Sequence, residues 1–224
     1  MDAMIESTLT ILERELWKAT YETAIMLGIS LLLGLVFGLA CGLLLYLSGQ
    51  ENFLASRKLN AVLGYTVNIV RSIPFIILVV FTLPLTFALT GTKIGPVAAA
   101  VPLSICAIAF YARLVEGSLK EVDAGVIEAA LASGASKSLI VKEVLLKEAA
   151  PGLIRGFTVT FISLIGFSAM PGMVGGGGIG NIAIQYGYYR YETGVMLFTI
   201  VVLVLFVQLV QWLGDRWAHT LNRR

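Results

Sequence analysis

Charge is what this sequence has least of. Asp, Glu, Lys and Arg together make up 13% of its 224 residues, about half the share found in an ordinary soluble domain. Cysteine and histidine are nearly absent too, with two of the first and one of the second. Cys41 and Cys106 both fall inside long apolar stretches and read as small packing residues, so neither a disulfide framework nor a metal site is expected. His219 sits in the polar C-terminal tail and reads as incidental. With no cluster of acids, no second histidine and no nucleophile beside a base, a membrane enzyme has no chemistry to draw on, and no catalytic residue is expected. What remains is apolar: 58% of the residues are hydrophobic and the mean hydropathy is +0.88. That excludes a soluble globular domain and makes the spanning helix, about 20 residues across a hydrocarbon core roughly 30 Å thick, the unit of description.

Residues 23–47, 72–92, 94–112, 156–189 and 193–214 contain no charged side chain. Each stretch is long enough to cross a bilayer. The fourth is too long for one helix, and its Gly172–Gly180 portion is mostly glycine, so a helix followed by a re-entrant or extended segment is expected there. The expectation is an all-α integral membrane protein, a single domain over 1–224. Its five spans lie at about 20–47, 59–88, 94–112, 152–172 and 193–214, with a long polar loop at 113–151. The first span is not expected to be a cleaved signal, because Asp2, Glu6, Glu13, Glu15 and Glu22 precede it against only Arg14 and Lys18, and its core is too long for a signal's apolar region.

Five spans put the two termini on opposite faces. Arg14, Lys18, Lys93 and Arg190 fall on the N-terminal side; the other side holds the remaining 12 of the 16 basic residues, Arg223 and Arg224 among them. By the positive-inside rule the N-terminus faces out and the C-terminus, with the 113–151 loop, faces the cytoplasm.

Within that loop Asp123 is placed to cap a helix whose Val126, Ile127, Ala130 and Leu131 share a face, and Gly134 to end it. Ser136 starts a second helix, striped by Ile140, Val141, Val144 and Leu145. Helices of about ten residues are marginal alone in water, so these need a partner surface, from this chain or another. The run Glu128-Ala129-Ala130, then Gly134-Ala135 and Ile140, resembles the EAA signature of ABC transporter permeases, the membrane subunits of binding-protein-dependent importers. In that family the short helix bearing the motif docks into a cleft of the cytoplasmic ATPase. The resemblance therefore implies a two-helix coupling loop between the third and fourth spans, with Glu128, Ala129, Ala130, Gly134, Ala135 and Ile140 at the joint. Where the family usually has Leu-Pro, this chain has Leu146-Lys147, and the proline comes at Pro151.

Arg71-Ser72-Ile73-Pro74-Phe75 resembles permeases for amino acids. Pro74 removes a backbone donor and should kink or interrupt the second span; Arg71 reads either as a snorkelling anchor or as a contact at the cytoplasmic mouth of a pathway. The stretch from Gly166 through Met173 and Val174 to Gly180 is glycine-rich but lacks the Gly-Lys-Ser/Thr of a phosphate loop, so no nucleotide site is expected. It suits flexible backbone where substrate arrives, or a close passage of helices. With Gln185-Tyr186-Gly187-Tyr188 and Tyr191 it is similar to the methionine-uptake permeases of bacterial ABC importers, a resemblance running from Tyr21 to Arg224. Gly34, Gly38 and Gly42 form two Gly-x-x-x-Gly steps, which favour close helix packing within the chain or between copies.

The resemblance implies a bacterial inner-membrane permease that imports D- or L-methionine. It implies as partners a second copy of this chain, two ATPase subunits, an external methionine-binding protein and the lipid, with no cofactor and no nucleic acid. ATP hydrolysis is expected on the separate subunit. Pathway candidates are Arg71, Pro74, Phe75, Phe167, Ser168 and Met170, the last as a flexible thioether gate. The alternatives are a permease for another amino acid, or an ion-coupled carrier, which would want ionisable groups within its spans.

Overall fold

The computed structural model describes residues 2–49, 53–172 and 175–221; Met173, Val174, Arg223 and Arg224, named above, lie outside them. All regular structure among the described residues is helical. A rod opens the chain: α1 (Asp2–Leu33), one π-helical turn (Gly34–Gly38) and α2 (Leu39–Leu47). The stretch Glu6–Leu47, which contains the apolar run, has 42 residues, about 63 Å at 1.5 Å per residue. That is twice a hydrocarbon core, so the charged N-terminal half has room to continue beyond it.

After the rod come α3 (Arg57–Ser72), α4 (Phe75–Phe81) and α5 (Leu83–Thr90). The expected single span at 59–88 is broken here: α3 and α4 meet at 105°, because Ile73 and Pro74 take extended backbone angles and Pro74 has no N–H to carry the helix through. Counted by length and composition, four helices of the described residues can cross a membrane, or five if the bent pair is one span.

The middle of the protein is α6 (Pro96–Lys120), packed against α1, α2, α3 and a long later helix, α9. Gly34, Gly38 and Gly42 lie against α6 of the same chain: a Cβ at these positions would stand 2.8 Å from Ala107 Cβ, 3.1 Å from Tyr111 Cβ and 2.5 Å from the Ala112 carbonyl oxygen. The glycine stripe thus lets the rod and α6 touch backbone to side chain. Met26, Phe75, Leu78, Leu103, Ala107 and Leu164 fill one core beside this seam, and Tyr111, Val115, Leu119, Leu145 and Ala149 a second.

α6 runs on to Lys120, past the boundary at 112 that its first charge suggested. The reason is local pairing: the buried Glu116 carboxylate accepts from Arg113 at 2.5 Å and Lys120 at 2.7 Å on the same helix, so the charges are satisfied without ending it. Then come α7 (Ala124–Ala132), α8 (Lys137–Leu139), a π turn (Ile140–Leu145) and α9 (Leu146–Phe167). The expected second loop helix is therefore not separate. It is the start of an unbroken helical stretch, Lys137–Gly172, that closes with α10 (Ala169–Gly172). The chain ends with α11 (Ile179–Ile182), a π turn (Ala183–Tyr188) and α12 (Thr193–Leu221).

Candidate coupling surface and pathway

α7 is shaped by its two ends. The Asp123 carboxylate accepts from the Gly125 N–H at 2.7 Å, and the Ser136 hydroxyl accepts from Leu139 N–H to start α8. Between them Gly134 takes φ +79°, with its N–H on Leu131 O and that of Ala135 on Ala130 O: a left-handed helix stop that glycine accepts without strain. No residue of α7 is buried. Its apolar residues divide. Ile127 packs on the core of Tyr111 and Leu145, while Val126 and Leu131 are 39% and 45% exposed. Glu128, Ala129 and Gly134 are exposed, and no ion pair engages Glu128 among the described residues. An unpaired carboxylate followed by Ala129 and Ala130 and one turn after Ala124 and Gly125 leaves one side of α7 low enough for another backbone to approach closely.

Ile140 stands apart from that surface. Placed with the joint by the resemblance, it is completely buried, in the π turn that packs against α7. A contact absent from the sequence reading joins the same region to the α2–α3 connector: Lys137 Nζ donates to Phe53 O at 3.2 Å and lies 5.9 Å from the Phe53 ring.

The pathway candidates gather only in part. Phe75 stacks on Phe167, centroids 5.0 Å apart and planes at 18°, and Met170 packs against the same cluster. Ser168 is buried with its hydroxyl donated to Ile165 O at 2.7 Å, so it is spent within its own helix. Arg71 is exposed, 5.7 Å from the Phe110 ring, beside the break at Pro74.

At the other end of α9 the glycine run is fixed in place. Gly178 N–H donates to Glu22 Oε2 and Ile179 N–H to Thr23 Oγ1, both at 2.8 Å, and Gly95 N–H donates to Gly175 O at 2.8 Å. Gly175, Gly177 and Gly178 have φ of 87°, 76° and 93°. A Cβ on Gly180 would lie 2.4 Å from Ala169 Cα. Of the two expectations for this run, close passage is the one the packing displays. Glu22 and Thr23 escaped the sequence reading because their partners lie 156 residues away.

Residues 34–223 match the family model described as "binding-protein-dependent transport system inner membrane component". The chain belongs to that family. It is accordingly an all-helical, multi-pass inner-membrane component of a transport system. Among its relatives, a probable D-methionine transport system permease of Vibrio cholerae is 43% identical over 93% of each chain. A methionine import system permease of Bacillus subtilis is 45% identical over 94% of this chain and 95% of its own. A chain of the MetNI methionine ABC transporter, solved in inward-facing conformations, superposes with a TM-score of 0.89 at 46% identity, covering 93% of this chain and 96% of that one. A chain of an amino acid ABC transporter, 16% identical with a TM-score of 0.76, shares the fold of this permease family member.

Proposed function

We propose that this chain is the permease subunit of an ATP-driven importer that carries methionine, as the D or L isomer, into the cytoplasm. The observation that carries the reading is the similarity to the methionine transporter chain, 46% identical along 93% of this one. In this reading two copies line a pathway between them, an external binding protein delivers the amino acid, and two ATPase subunits hydrolyse ATP below. The N-terminus faces out and the α7 end faces the cytoplasm, following the distribution of Lys and Arg.

The exposed α7 is the part offered to the ATPase. Glu128 supplies the charged contact, Ala129, Ala130 and Ala135 the close approach, and Gly134 the turn that presents them. Ile127 and the buried Ile140 tie α7 to the core, so a displacement of the ATPase moves α9 rather than a loose loop. At the far end of α9, Phe75, Phe167 and Met170 meet at the broken second segment, where a shift of α9 would part the stacked rings. Alternating access needs two arrangements of this bundle, biased differently by ATP and by the loaded binding protein.

The test is reconstitution of the permease with its ATPase and binding protein in proteoliposomes, followed by uptake of labelled methionine. Glu128→Lys should lower co-purification of the ATPase and uptake by roughly ten-fold or more, as reversal of a close interfacial charge does, while the isolated permease keeps its melting temperature. Wild-type uptake by that variant removes Glu128 from the joint. Met170→Ala should raise leak of methionine down its gradient without ATP; unchanged flux removes the gate assignment.

A further inference from the structure

The stacked rings of Phe75 and Phe167 stand at the far ends of two arms. One arm is the unbroken helical stretch that starts at Lys137, with Phe167 about 45 Å farther along at 1.5 Å per residue. The other is the α2–α3 connector followed by α3, whose end passes through Pro74 to Phe75. α6 packs against both α3 and α9.

The arms also meet at their near ends. Lys137 Nζ donates to Phe53 O at 3.2 Å and lies 5.9 Å from the centre of the Phe53 ring, so one cation engages both the carbonyl and the ring of a single residue. No ion pair draws Lys137 elsewhere among the described residues. The receiving side is braced. Leu54 N–H donates to Leu47 O at 3.0 Å, and the Asn60 amide donates to Leu45 O at 2.7 Å and to the buried Ser48 hydroxyl at 3.2 Å. Ala55 takes φ +38°, a left-handed backbone that a residue with a Cβ keeps only where its surroundings hold it. On the giving side, Lys137 follows the Gly134 turn by one short step and opens the helix that the Ser136 hydroxyl caps. It therefore stands where a displacement of α7 is handed to α9.

We propose that Lys137 is a positioning residue for coupling, fastening the start of the α9 stretch to the α2–α3 connector and making that contact the pivot about which the two arms open. With the near ends fastened, a push on α7 swings α9 against α3, and a swing about one end separates the other, where the rings stack. Without the fastening, α9 slides past the connector and the same push is spent at the near end. The inference rests on the proposed function for the source of the push, and it adds a second element, α3, to the route from α7 to the rings.

The test uses the complete complex in proteoliposomes, with the binding protein and labelled methionine, measuring uptake, ATP hydrolysis and co-purification of the ATPase. Lys137→Met keeps the length of the side chain and removes the charge. It should lower methionine carried per ATP by roughly three-fold, the scale of a charged contact open to water, while stimulated hydrolysis and co-purification stay within about two-fold of wild type. Lys137→Arg should restore the yield, since a guanidinium can donate to the same carbonyl and stack on the same ring. Phe53→Leu keeps the carbonyl and should give a smaller loss, and joined to Lys137→Met it should add nothing, as expected of two residues that act through one contact. If co-purification falls along with uptake, Lys137 touches the ATPase itself and the inference is overturned. It is equally overturned if Lys137→Met leaves the yield unchanged, if Lys137→Arg stays as low as Lys137→Met, or if the losses at 53 and 137 simply add. A wild-type complex that carries another amino acid with the same dependence on Lys137 would correct the substrate and keep the pivot; one that carries no amino acid removes both.

Discussion

Two connectors flank α9, both built from small residues, and the protein uses them in opposite ways. In α7 and its turn, alanine and glycine leave a surface on which nothing is buried. In 175–180, glycines absorb contacts so close that a single added carbon at Gly180 would stand 2.4 Å from backbone. The first connector is presented outward; the second is sealed against α1, α10 and the α5–α6 turn by hydrogen bonds from Gly178 and Ile179, from Gly176 to Pro171 O, and from Gly95. Small residues by themselves thus say only that something comes close. Whether that something is another part of the chain or another molecule depends on what the fold brings there, and the unpaired acid in α7 against the engaged acid, Glu22, at the glycine run is the sign that separates the two.

The comparison breaks most visibly at Gly180. Its backbone has ordinary angles, so only space is at issue, and the obstacle is the Cα of Ala169 rather than the tip of a flexible side chain. Gly180→Val should cost about 3 kcal/mol or more, the upper range of overpacking where neighbours cannot yield. Poor recovery of monodisperse protein from detergent, with a much lower melting temperature, is the expected result; a normal yield would mean that α10 and α11 can part enough at this crossing to admit the side chain.

The sequence exposed the apolar lengths because a bilayer demands them, and Pro74 marked a break because its chemistry is local. The caps at Asp123 and Ser136 and the stop at Gly134 were legible for the same reason. What could not be read depended on partners distant in sequence or on charges hidden by pairing. Arg113, Glu116 and Lys120 look like the edge of a loop in the sequence, yet they pair along one helix and carry it to Lys120. Ile140 belongs to an apolar stripe whose partner the sequence leaves open, this chain or another, and in the fold it is buried within this chain.

A middle-sized effect sharpens the sealed side. Glu22→Ala leaves the Gly178 N–H without its acceptor at a site where the Glu22 side chain is 18% exposed. Loss of a partner for a mostly buried donor costs about 1–3 kcal/mol. The melting temperature should fall by a few degrees, and hydrogen exchange should quicken at 178–179 while α7 keeps its own rate. Equal acceleration at both connectors would show that the glycine run is not independently pinned.

The smallest effect belongs to the presented side. Gly134→Ala meets no atom within 4 Å, so the whole cost is the left-handed backbone at φ +79°, about 1–2 kcal/mol for a residue with a Cβ. Because α7 buries nothing, that strain is relieved by fraying the turn rather than by unfolding the bundle, and the melting temperature should scarcely move. Exchange should instead quicken at 133–136, and coupling of ATP hydrolysis to uptake should drop modestly, since the turn that sets the direction of α7 has loosened. A fall in melting temperature as large as that of Glu22→Ala, with exchange at 133–136 unchanged, would mean that the turn is held by the body of the protein. The contrast between a presented connector and a sealed one would then be lost.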